Sequence, residues 1–127
     1  MGVFAKTITD ADIITFAGVS GDTNPLHLSH EFASETIFEG CIPHGMLTAS
    51  FISAVIGTKM PGPGCVYVSQ NLRFKAPVRA GNTVTTTCVV TKLIPEKCFT
   101  ELSTVCTVAG KPVLEGEATI MVPSRIK

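Results

Sequence analysis

From His44 to Gly57 the chain reads HGMLTASFISAVIG, with no charged residue. Met46, Leu47, Ala49, Phe51, Ile52, Ala54, Val55 and Ile56 fall on every face of a helix. A helix that is apolar all round has to be buried. At 1.5 Å per residue this one is roughly 21 Å long, short of the ~30 Å a bilayer core demands. The rest of the chain must therefore wrap it. Met60-Pro61-Gly62-Pro63-Gly64 then breaks the chain sharply.

Beyond Gly64 the chain reads as strands. Between Val66 and Phe74, Val66, Val68, Leu72 and Phe74 alternate with Tyr67, Ser69, Asn71 and Arg73. Between Leu114 and Val122, Leu114, Ala118, Ile120 and Val122 face one way and Glu115, Glu117 and Thr119 the other. Two β-branched runs with blurred alternation, Thr83 to Ile94 and Phe99 to Ala109, lie between them. Pro95-Glu96-Lys97 and Ala109-Gly110-Lys111 look like hairpin connections. Upstream, Thr9-Asp10-Ala11-Asp12 is a capping-box pattern that starts a helix at Thr9, with Gly21 as its natural stop. Ser29 to Ser34 forms a short helix on this reading. Consecutive strands with short turns make an antiparallel sheet whose apolar face needs cover. The expectation is one α+β domain over residues 1–127, an antiparallel sheet wrapped around a central apolar helix in the "hot dog" arrangement.

Composition narrows the function classes. The chain has 127 residues, enough for one core, and is 45% hydrophobic and 16% charged. Ten Lys+Arg balance ten Asp+Glu, which removes the polybasic footprint of a nucleic-acid or membrane-surface binder. No apolar stretch is long enough to span a membrane, and the N-terminus carries no leader pattern. Five cysteines form no CxxC pair, and all but Cys41 lie in or beside apolar or β-branched runs. They read as reduced core thiols in a reducing compartment, either cytoplasm or mitochondrial matrix.

The densest chemistry lies in Ser20-Gly21-Asp22-Thr23-Asn24-Pro25-Leu26-His27. Gly21 permits unusual backbone angles, and Asn24-Pro25 forces a turn. That turn brings the Asp22 carboxylate beside the His27 imidazole. The pair could share and activate one water, which is general acid–base work. An Asx-type turn carrying a surface histidine explains the same residues without any chemistry.

The run resembles the hydratase-2 motif of the MaoC-like (R)-specific enoyl-CoA hydratases and 3-hydroxyacyl-thioester dehydratases. Phe16, Val19, Ser20, Gly21, Asp22, Asn24, Pro25, Leu26, His27 and Ala33 occupy every motif position. His44-Gly45-Met46-Leu47 and Gln70-x-Leu72-x-Phe74-x-x-Pro77 extend the likeness over nearly the whole chain. The resemblance implies a hydro-lyase of fatty acid metabolism that interconverts trans-2-enoyl and (3R)-3-hydroxyacyl thioesters. It also implies a coenzyme A or acyl-carrier-protein carrier, no metal or redox cofactor, and a homodimer. In that family's terms Asp22 and His27 activate the water, the Gly45 N–H receives the developing oxyanion, and Asn24 orients the turn. His44 contacts the thioester arm or caps the helix, while Ser53 and Ile56 line the acyl pocket. Lys59, Arg73, Lys75 and Arg79 are cations available to coenzyme A phosphates or are plain solvated charges. Pro43 departs from the aliphatic or small residue usual before the His-Gly pair, and it bears on the width of the acyl tunnel.

Three other readings use the same residues. His27-x-x-His30 with Cys41-x-x-His44 supplies four zinc-type ligands, in a spacing unlike common zinc sites. A hot-dog acyl-CoA thioesterase would place an acidic residue on the central helix, which has none. A non-catalytic acyl-thioester binder would need no intact Asp22/His27 pair.

Overall fold

The computed structural model describes residues 1–123. Six strands form one antiparallel sheet: β1 (Gly2–Thr7), β2 (Val66–Gln70), β3 (Arg73–Phe74), β4 (Thr83–Ile94), β5 (Phe99–Val108) and β6 (Lys111–Met121). Their order is β1-β4-β5-β6-β2, with β3 also on β6. Four helices precede or cross the sheet: α1 (Asp10–Ser20), α2 (Pro25–Leu28), α3 (His30–Ala33) and α4 (Gly45–Thr58). Among the described residues no helix is long and apolar enough to cross a membrane.

α4 lies in the concave face of the sheet. Leu47, Phe51, Ile52, Val55 and Ile56 pack against Val84, Cys88, Leu102, Cys106, Leu114, Ala118 and Ile120. Its burial is one-sided, against the expectation of all-round cover. Met46 is 56% exposed, and Ser50 and Ser53 on the same face are not buried either. The sheet ends at edge strand β2, so it curls around only part of the helix. The two serines occupy the side it leaves open.

Local signals fold as expected. The Thr9 side chain accepts the Asp12 N–H while the Asp12 carboxylate accepts the Thr9 N–H, closing the capping box. Gly21 ends α1 at φ 78°. α3 is capped by Ser29, whose Oγ accepts the Phe32 N–H. Ala109 and Gly110, at φ 51° and 81°, make the two-residue primed turn that suits a right-twisted hairpin. β4 and β5 alternate more cleanly than their composition suggests. Val84, Thr86 and Cys88 point inward on β4, and Leu102, Thr104 and Cys106 on β5. Threonine sits on both faces of these strands, which hides the pattern.

Four readings change. β1, which the sequence reading did not mark as a strand, pairs with β4 from Gly2↔Cys88 to Thr7↔Thr83. The run from Val66 to Phe74 is two strands, because Asn71 arches over Gly116 of β6. Asn71 exchanges bonds with Glu117 through its N–H and its Oδ1, and a Cβ at Gly116 would sit 1.9 Å from the Asn71 carbonyl oxygen. Val66 and Val68 lie 47% and 48% exposed on the sheet edge, and Val122 is 37% exposed beyond the end of β6. Of the cysteines only Cys88 and Cys106 are core residues. Burial pushes the Cys88 thiol up to about 11, the mark of an inert structural thiol.

Gly116→Ala should therefore destabilise the protein by about 3 kcal/mol or more in chemical denaturation, because backbone has to move. A pH effect arises at the other end of the sheet. The Lys6 ammonium, 2.8 Å from Asp12, holds the Asp12 carboxyl below its ordinary value of 3.8. Its contribution is present above the unfolded value and fades as pH falls through the folded one. The stability gap between wild type and Asp12→Asn should shrink on acidification from neutrality to below 3.8.

Candidate active site

The turn after α1 is built from side chain to main chain. The Asp22 Oδ1 accepts the Asn24 N–H at 3.2 Å, an Asx turn. The Asn24 Oδ1 accepts the Leu26 N–H at 2.9 Å and caps α2, with Pro25 in its first turn. Asn24 thus holds Asp22 with its main chain and the helix after it with its side chain. The Ser20 Oγ accepts the Asp22 N–H at 3.1 Å from the other side.

His27 sits on α2 with Nδ1 2.7 Å from the Ile42 carbonyl oxygen. A carbonyl only accepts, so Nδ1 carries the proton and the neutral ring keeps its lone pair on Nε2. His44 is 1% exposed. Its Nε2–H donates to the Asp22 main-chain oxygen at 2.9 Å. Its ring packs against those of His27 at 4.0 Å, tilted by 30°, and Phe16 at 4.9 Å, tilted by 55°. His44 Nδ1 has no hydrogen-bond partner among the described residues. One polar atom from each of Asp22, His27 and His44 lies within 4.8 Å of the others.

Gly45 opens α4. Leu47 and Thr48 N–H groups both reach the His44 carbonyl, at 3.0 and 3.4 Å. The Gly45 and Met46 N–H groups have no partner among the described residues. They stand at the positive end of the helix dipole, where negative charge is stabilised. The missing Cβ matters here, since one built on Gly45 would lie 2.7 Å from the Phe74 ring.

Two cavities flank this helix end. One, of about 350 Å³, is lined by His27, Phe38, Pro43, Gly45, Thr48 and Phe74, among others. The other, of about 420 Å³, is lined by Phe16, Met46, Ser50, Ser53, Tyr67 and Gln70, among others. The Tyr67 hydroxyl donates to Gln70 at 2.7 Å, and burial pushes it up to about 12, so it stays protonated. The two cavities border the first turn of α4 through Gly45 and Met46 respectively.

Of the expected residues, Asp22 has a polar atom within 4.8 Å of one on His27, Asn24 bonds Asp22, Gly45 shares the first cavity with His27, and Ser53 reaches the wall of the second, while Asp22 itself is exposed and lines neither cavity. His44 is buried, lines neither cavity and bonds the Asp22 main-chain oxygen. Ile56 is 1% exposed and packs in the core, lining neither cavity. Arg73 faces Glu117 at 3.9 Å, and Lys75 borders the first cavity. The carbonyl of Ile42, which sets the His27 tautomer, escaped the sequence reading because a main-chain acceptor has no residue signature. Asp22, His27 and His44 are the one trio of metal-type donors among the described residues. Each histidine ring has one nitrogen already bonded to a main-chain carbonyl, which leaves a single ring nitrogen on each. His30 and Cys41 lie outside the trio.

The sequence matches the MaoC-like domain over residues 3–110. It is 61% identical over 121 residues to an (R)-specific enoyl-CoA hydratase of Rhodospirillum rubrum, covering 95% of this chain and 84% of that one. A mitochondrial 3-hydroxyacyl-[acyl-carrier-protein] dehydratase of Solanum lycopersicum is 38% identical, with 96% of this chain and 74% of that one covered. Among solved structures, an (R)-hydratase from Aeromonas caviae involved in PHA biosynthesis superposes with a TM-score of 0.91 at 40% identity, covering 95% of this chain and 92% of that one.

The turn geometry is checked by removing the cap. Asn24→Ala should cost about 1 kcal/mol, a fall of about 3–5 °C in melting temperature, and Asn24→Asp should retain most of it. An unchanged melting temperature in Asn24→Ala would mean that the side chain caps nothing.

Proposed function

Because the chain belongs to the MaoC-like domain family, we propose that it is a hydro-lyase interconverting trans-2-enoyl and (3R)-3-hydroxyacyl thioesters, with Asp22 and His27 as its acid–base pair. The observation that carries this reading is the placement of the Asp22 carboxylate and the His27 ring beside the unpaired N–H groups of the first turn of α4. Hydration of an enoyl thioester needs both in one place. A water held between Asp22 and His27 loses a proton to the pair as its oxygen adds to Cβ. Electron density moves through Cα to the thioester oxygen, which becomes enolate-like and needs a donor waiting where the charge develops. The Gly45 N–H is that donor. The pair then delivers a proton to Cα, so the elements of water are divided between Cβ and Cα, and dehydration runs the same path backwards. His27 enters with Nε2 unprotonated in its neutral form because Ile42 occupies Nδ1.

Ser53 lies on the wall of the acyl channel in this proposal, and Asn24 is the support of the catalytic turn. The chemistry asks for no metal or redox cofactor, since the charge is met by protein donors. Coenzyme A is the carrier we favour, supported by the 61% identity to an enoyl-CoA hydratase against 38% to the carrier-protein enzyme. A homodimer is supported by the open edge of β2, where Val66, Tyr67 and Val68 are 47%, 39% and 48% exposed. The thiols of Cys41, Cys65, Cys88 and Cys106 fit a reducing compartment.

The test is loss of the enoyl-thioester absorbance with crotonyl-CoA, followed by chiral analysis of the product. The expected product is (3R)-3-hydroxybutyryl-CoA. Asp22→Asn and His27→Ala should each lower turnover by about 10²–10⁴-fold while remaining folded. Near-normal rates in folded Asp22→Asn would overturn the assignment, and release of free thiol would make the protein a thioesterase. The pH–rate profile should report the coupled pair.

A further inference from the structure

Segment 34–43, between α3 and α4, contributes Phe38, Ile42 and Pro43 to the wall of the first cavity. It contains no helix or strand of its own. Its internal main-chain bonds end with the Glu39 N–H on the Thr36 carbonyl. Beyond that point it is held by the Ile42 N–H on the Leu26 carbonyl, a long 3.4 Å bond, by His27, and by Arg79. The Arg79 guanidinium donates through Nη1 to the Gly40 carbonyl at 3.3 Å and through Nη2 to the Phe38 carbonyl. It pairs with no carboxylate among the described residues.

The base of that side chain is rigid. The Arg79 N–H donates to the Asn82 Oδ1 at 2.7 Å, and the Asn82 N–H returns to the Arg79 carbonyl at 3.0 Å. Ile8, buried at the end of β1, bonds Asn82 and Gly81 with its N–H and its carbonyl. Another stretch of the cavity lining, Ala76-Pro77-Val78, immediately precedes Arg79. One guanidinium therefore staples the two stretches of lining together. Its fork is suited to the task, because a planar pair of N–H donors grips two carbonyls where an ammonium grips one.

We propose that Arg79 is a positioning residue for hydration, acting through the Phe38 and Gly40 carbonyls to hold the Ile42 carbonyl where it keeps the proton of His27 on Nδ1. The proposal rests on the acid–base role given to His27. It also removes Arg79 from the cations free to meet a phosphate. Without the staple, segment 34–43 has only its end contacts, the Ile42 carbonyl drifts, and Nε2 of His27 is no longer held as the unprotonated atom.

Two readouts test it. The first is the ¹⁵N NMR signature of the His27 ring at a pH where the ring is neutral, with no substrate present. Wild type should show Nδ1 protonated, and Arg79→Ala a mixture of tautomers. The second is steady-state kinetics with crotonyl-CoA. Arg79→Ala should lose about 10-fold or more in kcat. Millimolar guanidinium ion should restore part of that loss and leave Asp22→Asn unrescued, and Arg79→Lys should fall between wild type and Arg79→Ala. A wild-type tautomer and wild-type kcat in folded Arg79→Ala would overturn the proposal. So would a lowered melting temperature with an unchanged tautomer and no rescue, since that is the behaviour of a merely structural residue. If wild type proves inactive but the tautomer still shifts in Arg79→Ala, the staple stands and the hydratase reading falls. If Arg79→Ala does not fold, the same measurements on Arg79→Lys decide.

Discussion

The packing of α4 into the hollow of the sheet settles where the first turn of that helix points, and the rest of the site is arranged around that turn. Ile52, Val55 and Ile56 are 1%, 0% and 1% exposed, against Val84, Leu102 and Ile120 at 0%. Each such side chain is worth about 1.5–3 kcal/mol of burial. Turning the helix about its axis would drive Ser50 and Ser53 into that core and lift aliphatic residues out of it. The helix is therefore held by its apolar face, and its N-terminus needs no side-chain cap to stay in place. His44, which stands at the cap position, makes no cap bond. Its one bonded nitrogen goes instead to the turn that carries Asp22.

That substitution of tertiary for local support explains the character of the site. Both histidines are oriented by main-chain carbonyls, Ile42 for His27 and Asp22 for His44. A backbone acceptor sets the tautomer without adding a second charged group beside the Asp22 carboxylate. The arrangement costs stability in one place, where His44 Nδ1 is buried with no partner among the described residues. It gains a ring cluster of Phe16, His44 and His27 that ties α1, α2 and the start of α4 into one unit. The segment leading into α4 is likewise held from outside itself, by donors on residues before β4 and on α2.

Much of the fold was legible because its signals are local. The capping box at Thr9, the left-handed stop at Gly21, the Ser29 cap and the Ala109-Gly110 turn depend on residues within a few positions of each other. The apolar helix was legible from composition alone. Its exposed stripe was not, because Met46, Ser50 and Ser53 show which side is open only once the sheet is known to end at β2. β1 was missed for a related reason: Val3, Phe4 and Thr7 favour a strand, but so short a segment is fixed as one only by its pairing with β4. Threonine on both faces of β4 and β5 obscured an alternation that burial makes plain.

The candidate site divides in the same way. Residue types and order along the chain brought Asp22, Asn24 and His27 into one turn, and put a glycine at the head of an apolar helix, since turn geometry and helix polarity depend on neighbours in sequence. Tertiary structure alone decided that His44 is buried against the His27 and Phe16 rings, that Ile56 belongs to the core, and that Ile42 and Arg79 meet the segments beside Asp22 and His27. Those outcomes turn on where carbonyl groups point and which face of a helix is covered, and both are set by segments that meet only when the sheet closes around α4.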